Sequence, residues 1–149
     1  MAKFTYKMQN ILNIKYKLET QAKTAFSIAA GNLHQEEEKL QELNQRKLTY
    51  ENDARKLISA TLNFQKIRSN HIAIETMKGA IRSQILAVHV AERNLESARK
   101  HLQEVMTERK THEILKEKAF EIFKQELEKE ESKAIDELVS FTHNQGKNE

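Results

Sequence analysis

Residues 81–105, IRSQILAVHVAERNLESARKHLQEV, contain the pattern that decides the fold. Apolar or small residues recur there in steps of three and four, at Ile81, Val88, Ala91, Leu95, Ala98, Leu102 and Val105, with Gln84 as the one polar member. Alternating steps of this kind have the 3.5-residue period of a coiled-coil seam, the row of side chains that faces a partner helix. The stretch therefore predicts a long helix that packs along one side against another helix.

The composition indicates that the rest of the chain is also helical. The 149 residues include no Pro, no Cys, no Trp and three Gly, whereas strands and tight turns usually need such residues. Charged residues make up 32% and hydrophobic residues 38%, which suits a thin core between two helices better than a deep globular core. The absence of Cys excludes disulfides and cysteine-ligated metals.

The first half of the chain carries seam spacing in two phases. The first thirty residues have such a row at Phe4, Met8, Ile11, Lys15, Leu18, Ala22, Ala25 and Ala29. A second row follows at Leu33, Glu36, Leu40, Leu43, Lys47, Tyr50, Ala54 and Leu57. The two rows are one residue out of phase, which predicts a stutter, a local change of coiled-coil register, between Ala29 and Leu33.

Two architectures fit this periodicity. One straight helix would homodimerise, whereas a turn near the middle would fold the chain into an antiparallel hairpin. Two features favour the hairpin: residues that cap or interrupt helices are enriched near the middle, and the two ends of the chain carry opposite charge. Residues 1–23 hold five Lys against one Glu, and residues 121–149 hold eight acids against four Lys.

The predicted fold class is therefore all-α, a long two-helix antiparallel coiled-coil hairpin with its turn near residues 63–79. Residues 1–149 are assigned to a single coiled-coil domain, with one arm over about 4–68, a tip over about 69–76, a second arm over about 77–142 and a frayed tail over 143–149. A turn near residue 73 would bring Glu36, Glu37 and Glu38 opposite Arg109 and Lys110.

No catalytic, cofactor-binding or metal-binding motif is present. None of the six histidines follows a Glu by three residues, and no Walker A, dinucleotide-binding or His-Glu-x-x-His motif occurs. A two-helix hairpin also lacks a pocket for a substrate. The sequence predicts a protein that is not an enzyme and uses no cofactor.

The charge and hydropathy patterns also limit the partners. A net charge of +3 is too weak to predict a nucleic-acid partner, and binding to a membrane surface would need a denser basic face. No apolar run approaches the ~18 residues of a membrane span, so we expect a soluble, cytoplasmic protein. Near the presumed tip, Lys66, Arg68, Lys78 and Arg82 outnumber Glu75, and such a group could steer the chain to an acidic partner.

Both ends of the chain resemble one protein family. The N-terminal part of the resemblance is carried by Phe4, Tyr6, Met8, Gln9, Ile11, Leu12, Ile14, Lys15, Lys17 and Glu19. The C-terminal part is carried by residues 113–118, EILKEK, and residues 130–137, EESKAIDE. With the length and the two-arm layout, these residues resemble the FliJ family of flagellar export proteins over nearly the whole chain.

The resemblance implies a non-enzymatic, soluble component of the flagellar type III export apparatus, on which bacterial motility depends. It implies a long antiparallel coiled coil similar to the central stalk of rotary ATPases, monomeric when free and associated peripherally with the inner membrane. The implied partners are the hexameric export ATPase, the cytoplasmic domain of the membrane export gate, and export chaperones. The alternative is a generic homodimeric coiled-coil scaffold with no ATPase partner.

The resemblance also implies two sets of site residues. The ATPase-facing end would include Phe4, Met8, Ile11, Leu127, Leu138 and Phe141. The face for the export gate and chaperones would include Lys39, Leu43, Arg46, Tyr50, Ala73, Met77, Ala80 and Gln84. Leu43 and Tyr50 also belong to the predicted seam, so partner contact and helix packing compete for these two side chains.

Overall fold

The computed structural model describes residues 2–147 and contains two α-helices. Helix α1 spans Gln9–Ser59 and helix α2 spans Phe64–Lys147. The two long helices pack against each other as a hairpin, which confirms the predicted fold class. The short segment before α1 has no regular structure.

The contacts group the chain into two compact units, each built from both helices. One unit combines the chain up to Glu19 with the chain from Glu104 onward, and the other unit is Thr20–Gln103. We refer to them as the terminal unit and the turn unit. The assignment of the whole chain to a single domain stays a prediction.

The turn between the helices covers residues 60–63, which is at the N-terminal edge of the predicted interval of 63–79. Asn63 caps α2, because its side-chain Oδ1 accepts a hydrogen bond from the backbone N–H of Lys66 at 3.2 Å. At the other side of the turn, the backbone N–H of Ala60 still donates to the carbonyl oxygen of Lys56 at 3.1 Å. The chain therefore reverses over four residues with a cap on the second helix.

The tip expected over residues 69–76 is helical instead. Its polar side chains satisfy carbonyl oxygens rather than end the helix: Thr76 donates to the carbonyl oxygen of Ile72 at 2.8 Å, and Asn70 donates to that of Tyr50 on α1 at 2.9 Å. A polar residue that bonds back in this way is compatible with a continuous helix. In the expected frayed tail, residues 143–147 continue α2, and residues 148–149 lie outside the described part of the chain.

The register of the hairpin differs from the expected one because the turn comes early. Within the turn unit, the side-chain amide of Gln84 donates to the carbonyl oxygen of Glu36 at 2.9 Å. Within the terminal unit, Arg109 binds Glu19. The predicted pairing of Glu36, Glu37 and Glu38 with Arg109 and Lys110 is therefore wrong, and so is the straight-helix alternative.

Burial confirms the seam of α2. Val88, Ala91 and Val105 are buried, and the remaining members of the predicted row from Ile81 to Val105 are half-buried. After Val105 the row continues through three half-buried polar residues, Arg109, His112 and Lys116. It ends with half-buried Ala119, Phe123 and Leu127.

The seam of α1 has one phase, so the predicted stutter is wrong. Its buried and half-buried members are Leu12, Lys15, Glu19, Ala22, Phe26, Ala29, Leu33, Glu36, Leu40, Leu43, Lys47, Tyr50, Ala54 and Leu57. These positions alternate between steps of three and four without interruption. Leu12 and Glu19 are 1% and 6% exposed, whereas the predicted members Ile11 and Leu18 are 38% and 37% exposed. The seam before Leu33 therefore has the same phase as the seam after it.

Over residues 2–147, neither helix contains a stretch that is both apolar enough and long enough to cross a lipid bilayer.

Candidate functional site

The N-terminal segment is held against α2 by an aromatic cluster. The ring of Phe4 contacts Phe120 edge to face, with centroids 5.1 Å apart and planes at 78°, and lies 5.4 Å from the ring of Phe123. Edge-to-face geometry places the positive edge of one ring on the negative face of another. Phe4 and Phe123 are half-buried, while Phe120 stays 47% exposed. The cluster fixes where the N-terminal segment lies along α2.

Beyond this cluster, α2 continues without a partner helix. Every described residue of α2 from Glu128 to Lys147 is exposed. We call residues 128–147 the C-terminal extension. It holds five acids and three lysines, so it carries a net negative charge.

The C-terminal extension has an apolar stripe. Ile135, Leu138 and Val139 are 61%, 65% and 61% exposed, and Thr142 follows them at the same helical spacing. Residues at i, i+3, i+4 and i+7 share one face of a helix. Phe141, next to this stripe, is 59% exposed. A helix with an uncovered apolar face can dock into a hydrophobic groove of another protein.

A polar layer crosses the seam of the terminal unit. The Arg109 guanidinium bonds the Glu19 carboxylate through two nitrogens, at 2.6 and 3.3 Å, and donates to Glu113 at 2.9 Å through a third. The Tyr16 hydroxyl donates to the other oxygen of Glu113, and Lys15 pairs with Glu108 at 2.9 Å. Forked guanidinium–carboxylate pairs are geometrically demanding, so this layer favours one register of α1 against α2.

The same layer shifts the pKa values of its members. The hydrogen bonds from Tyr16 and then from Arg109 lower the pKa of the Glu113 carboxyl, because they stabilise its charged form. The bond to Glu113 raises the pKa of the Tyr16 phenol, and the bonds to Glu19 and Glu113 raise the pKa of Arg109. In the turn unit, the bond from Gln84 lowers the pKa of Glu36.

None of this geometry forms a catalytic or metal centre. No cluster of three His, Cys, Asp or Glu side chains with metal-binding geometry occurs in the part of the chain that the structure describes. Each acid of the polar layer already has a partner: Glu19 and Glu113 bond Arg109, and Glu108 pairs with Lys15, which gives them a structural role.

A scan against family models matches residues 4–148 to the flagellar FliJ protein. The match covers nearly the whole chain. The chain belongs to the FliJ family. Comparison with curated proteins and comparison with solved structures each gave no match at the threshold applied. FliJ family membership makes the chain a non-enzymatic component of the flagellar export apparatus.

The predicted ATPase-facing residues of this FliJ chain fall into two groups in the terminal unit. Phe4 is half-buried in the contact between the N-terminal segment and α2, and Leu127 is half-buried on α2. Met8 and Ile11, on α1 or just before it, are 42% and 38% exposed, and Leu138 and Phe141 lie on the C-terminal extension. Leu138 and Phe141 lie beyond the part of α2 that Phe4 contacts.

The residues predicted for the gate and chaperone face all lie in the turn unit. Lys39 and Arg46 are exposed, and Met77 is 8% exposed in the seam. The others are half-buried: Leu43, Tyr50, Ala73, Ala80 and Gln84. Tyr50 on α1 and Ala73 on α2 line one recess beside the turn, so the structure brings these two members of the predicted face together.

Sequence reasoning missed several residues of the terminal unit, notably Leu12, Glu19, Tyr16 and Phe120. For Leu12 and Glu19 a signal existed, because they follow from Leu33 by unbroken steps of three and four. Tyr16, Glu113 and Phe120 lie off the seam, and only the register of the hairpin brings them to their partners.

Proposed function

We propose that this FliJ protein acts in the cytoplasm, peripheral to the membrane, and binds the hexameric export ATPase as a central-stalk-like element that promotes assembly of the hexamer. The observation that carries the proposal is the C-terminal extension, an unpaired helix with a continuous exposed apolar stripe. A stalk has to enter a narrow opening, and one helix is thinner than a helix pair.

The ATPase-facing surface is proposed to consist of the extension with the exposed side chains near the start of α1. Leu138 and Phe141 supply apolar contact area on the extension, and Met8 and Ile11 supply it on α1. Phe4, half-buried where the N-terminal segment meets α2, and Leu127, half-buried just before the extension, are proposed to support this surface. The acids of the extension add electrostatic steering toward a basic partner surface.

The turn unit is proposed to contact the export gate and chaperones. Lys39 and Arg46 are its directly accessible members, and Leu43, Tyr50, Ala73, Ala80 and Gln84 present their edges at the rim of the seam. Met77 packs beneath them and keeps the two helices together. Binding at this face would couple the ATPase to the gate through one chain.

The proposal is tested by measuring the rate and the oligomeric state of the cognate export ATPase with and without the purified protein. Faster ATP hydrolysis together with more hexamer supports the stalk function. If neither changes and the two proteins do not co-elute, while circular dichroism shows that the added protein is helical, the chain is a scaffold without an ATPase partner.

A further inference from the structure

The turn between α1 and α2 exposes large apolar side chains. Phe64, Ile58 and Leu62 are 78%, 69% and 61% exposed, all within seven residues of chain. They lie off the seam, whose nearest members are Leu57 and Ile67, so helix packing does not account for them. Large apolar side chains that are exposed close together often mark a surface that binds another protein or a membrane.

The same part of the chain carries cations without acids. Arg55, Lys56, Lys66 and Arg68 are exposed, and residues 54–74 contain no Asp or Glu. Within residues 2–147 none of these four cations forms an ion pair. The nearest acids along the chain are Asp53 and Glu75, and Glu75 already pairs with Lys78. The net charge of the whole chain, +3, hides this local excess. We call the three apolar residues and the four cations the turn surface.

Two of the cations share a recess with neutral hydrogen-bond donors. Lys56 from α1 and Lys66 from α2 line it together with Gln65, Ser69 and Asn70. The lining also includes one acid, Asp53, together with Tyr50, Leu57, Ala60 and Ala73. Ammonium, amide and hydroxyl groups are the donors that phosphate oxygens accept from.

We propose that the turn surface docks on an anionic lipid surface. Phe64, Leu62 and Ile58 enter the boundary between headgroups and acyl chains, while the cations contact lipid phosphates. This pairing of exposed apolar side chains with unpaired cations is the chemistry of interfacial membrane anchors.

An acidic protein groove is the other occupant that this charge would attract, and two observations favour lipid. The cations come from both helices, so the positive charge flanks the turn on both sides along the chain. The apolar side chains belong to the turn and the helix ends and are largely exposed, which suits insertion into a fluid interface that needs no complementary pocket. The inference does not depend on ATPase binding.

The first test places a fluorophore at the turn. Because the chain contains no Trp, Phe64→Trp introduces the sole tryptophan, and Leu86→Trp, at a position that is 66% exposed in the middle of a helix, is the matched control. On addition of vesicles that contain phosphatidylglycerol, the emission of the Phe64→Trp protein is expected to shift to the blue and to be quenched by brominated acyl chains. The control protein and vesicles of phosphatidylcholine alone are expected to give no shift.

The second test removes the charges. Lys66→Gln with Arg68→Gln is expected to weaken vesicle binding by about five-fold per charge, and added salt is expected to weaken binding of the wild-type chain. The exposed pair Arg93→Gln with Lys100→Gln is the control and is expected to leave binding unchanged. Phe64→Ser is expected to weaken binding about ten-fold or more.

Three results would overturn the proposal. The first is that the wild-type chain does not bind anionic vesicles. The second is that the turn variants and the control variants lose vesicle binding equally. The third is that polyglutamate displaces the chain from the vesicles while Phe64→Ser leaves binding unchanged. The last result would assign the turn surface to an acidic protein instead. The substituted positions are all exposed, and circular dichroism of each variant confirms that a loss of binding is not a loss of the fold.

Discussion

Single residues set the register of the terminal unit. Glu19 occupies a seam position that an apolar residue would normally fill, and it is 6% exposed. The Arg109 guanidinium meets it there with two hydrogen bonds. Because a charge buried without its partner is strongly unfavourable, any register that separates the two residues is disfavoured. The polar layer therefore limits α1 to one alignment with α2.

Among the apolar residues of the terminal unit, truncation of Leu12 should lower the free energy of unfolding most. It is 1% exposed, so Leu12→Ala is expected to lower the free energy of unfolding by about 2–5 kcal/mol. Ile11→Ala, at a position that is 38% exposed, is the matched control with a smaller effect. Chemical denaturation of both variants tests this, and a larger loss from Ile11→Ala would place the wrong residue in the seam.

The bond between Tyr16 and Glu113 predicts a stability difference that depends on pH. The lowered pKa of Glu113 contributes stability above its usual value of 4.5, and this contribution is lost as the pH falls through the lowered pKa. The raised pKa of Tyr16 contributes stability below 10.0, and this contribution is lost as the pH rises through the raised pKa. Tyr16→Phe should therefore melt slightly below wild type between these limits and approach it outside them.

Thermal melts of the Tyr16→Phe and wild-type proteins over a pH series measure this effect. Tyr6→Phe is the control, because within residues 2–147 the buried Tyr6 hydroxyl has no hydrogen-bond partner. A constant difference between Tyr16→Phe and wild type across the whole series would show that the hydrogen bond contributes nothing to stability.

At the scale of elements, the two helices differ in how much of their length is paired. Helix α1 has seam positions from Leu12 to Leu57, nearly from end to end. The seam of α2 ends at Leu127, and the C-terminal extension follows as helix without tertiary contacts that bury it.

This difference separates stability from function in the extension. Leu138→Ser with Phe141→Ser is expected to leave the melting temperature within experimental error of wild type, because both side chains are about 60% exposed. The same change is expected to reduce stimulation of the export ATPase, because it removes apolar area from the proposed contact. Ile28→Ser, at a position of similar exposure in the turn unit, is the control. Full stimulation by the double variant would move the ATPase contact elsewhere.

At the scale of the whole molecule, the position of one turn sets which residues pair. With the turn at residues 60–63, Gln84 lies beside Glu36 and Asn70 beside Tyr50 in the turn unit. A turn near residue 73 would pair Glu36 and Tyr50 with positions much farther along α2. The turn thus decides the composition of every layer of the seam.

Engineered cysteines test this register, because the chain contains none of its own. Glu36→Cys with Gln84→Cys is expected to form an intramolecular disulfide under mild oxidation, since the two side chains contact each other. Glu36→Cys with Ala98→Cys, farther along α2, is expected to stay reduced. Non-reducing electrophoresis and mass spectrometry of proteolytic fragments distinguish the outcomes. A disulfide between two copies would contradict the hairpin.

The fold class followed from local information. The seam period of Ile81 to Val105 and the absence of Pro predicted helices that pair, and the structure confirms both. The phase of α1 was predicted wrongly before Leu33, because Leu18 is more apolar than Glu19, which occupies the seam position. Hydropathy favoured the wrong row, while the spacing alone indicated the right one.

The candidate site was predictable only in part, because hydropathy does not show which side chains the fold covers. The family resemblance proposed residues at both ends of the chain, but exposure depends on what each residue faces. Met77 lies in the seam, whereas Leu138 and Phe141 are uncovered. Side chains off the seam, such as Phe120, acquired a role only through the residue that the register brought to them.

The sequence by itself determined that this protein is built from long helices that pack along a seam, because a 3.5-residue period is a local property. Only the tertiary structure decided the register, the polar layer around Arg109, the length of the free C-terminal extension and the exposed turn surface. These features depend on where the chain reverses, and several polar segments near its middle could cap a helix equally well. The one that does so is selected by the fit of the whole seam, which is a long-range property.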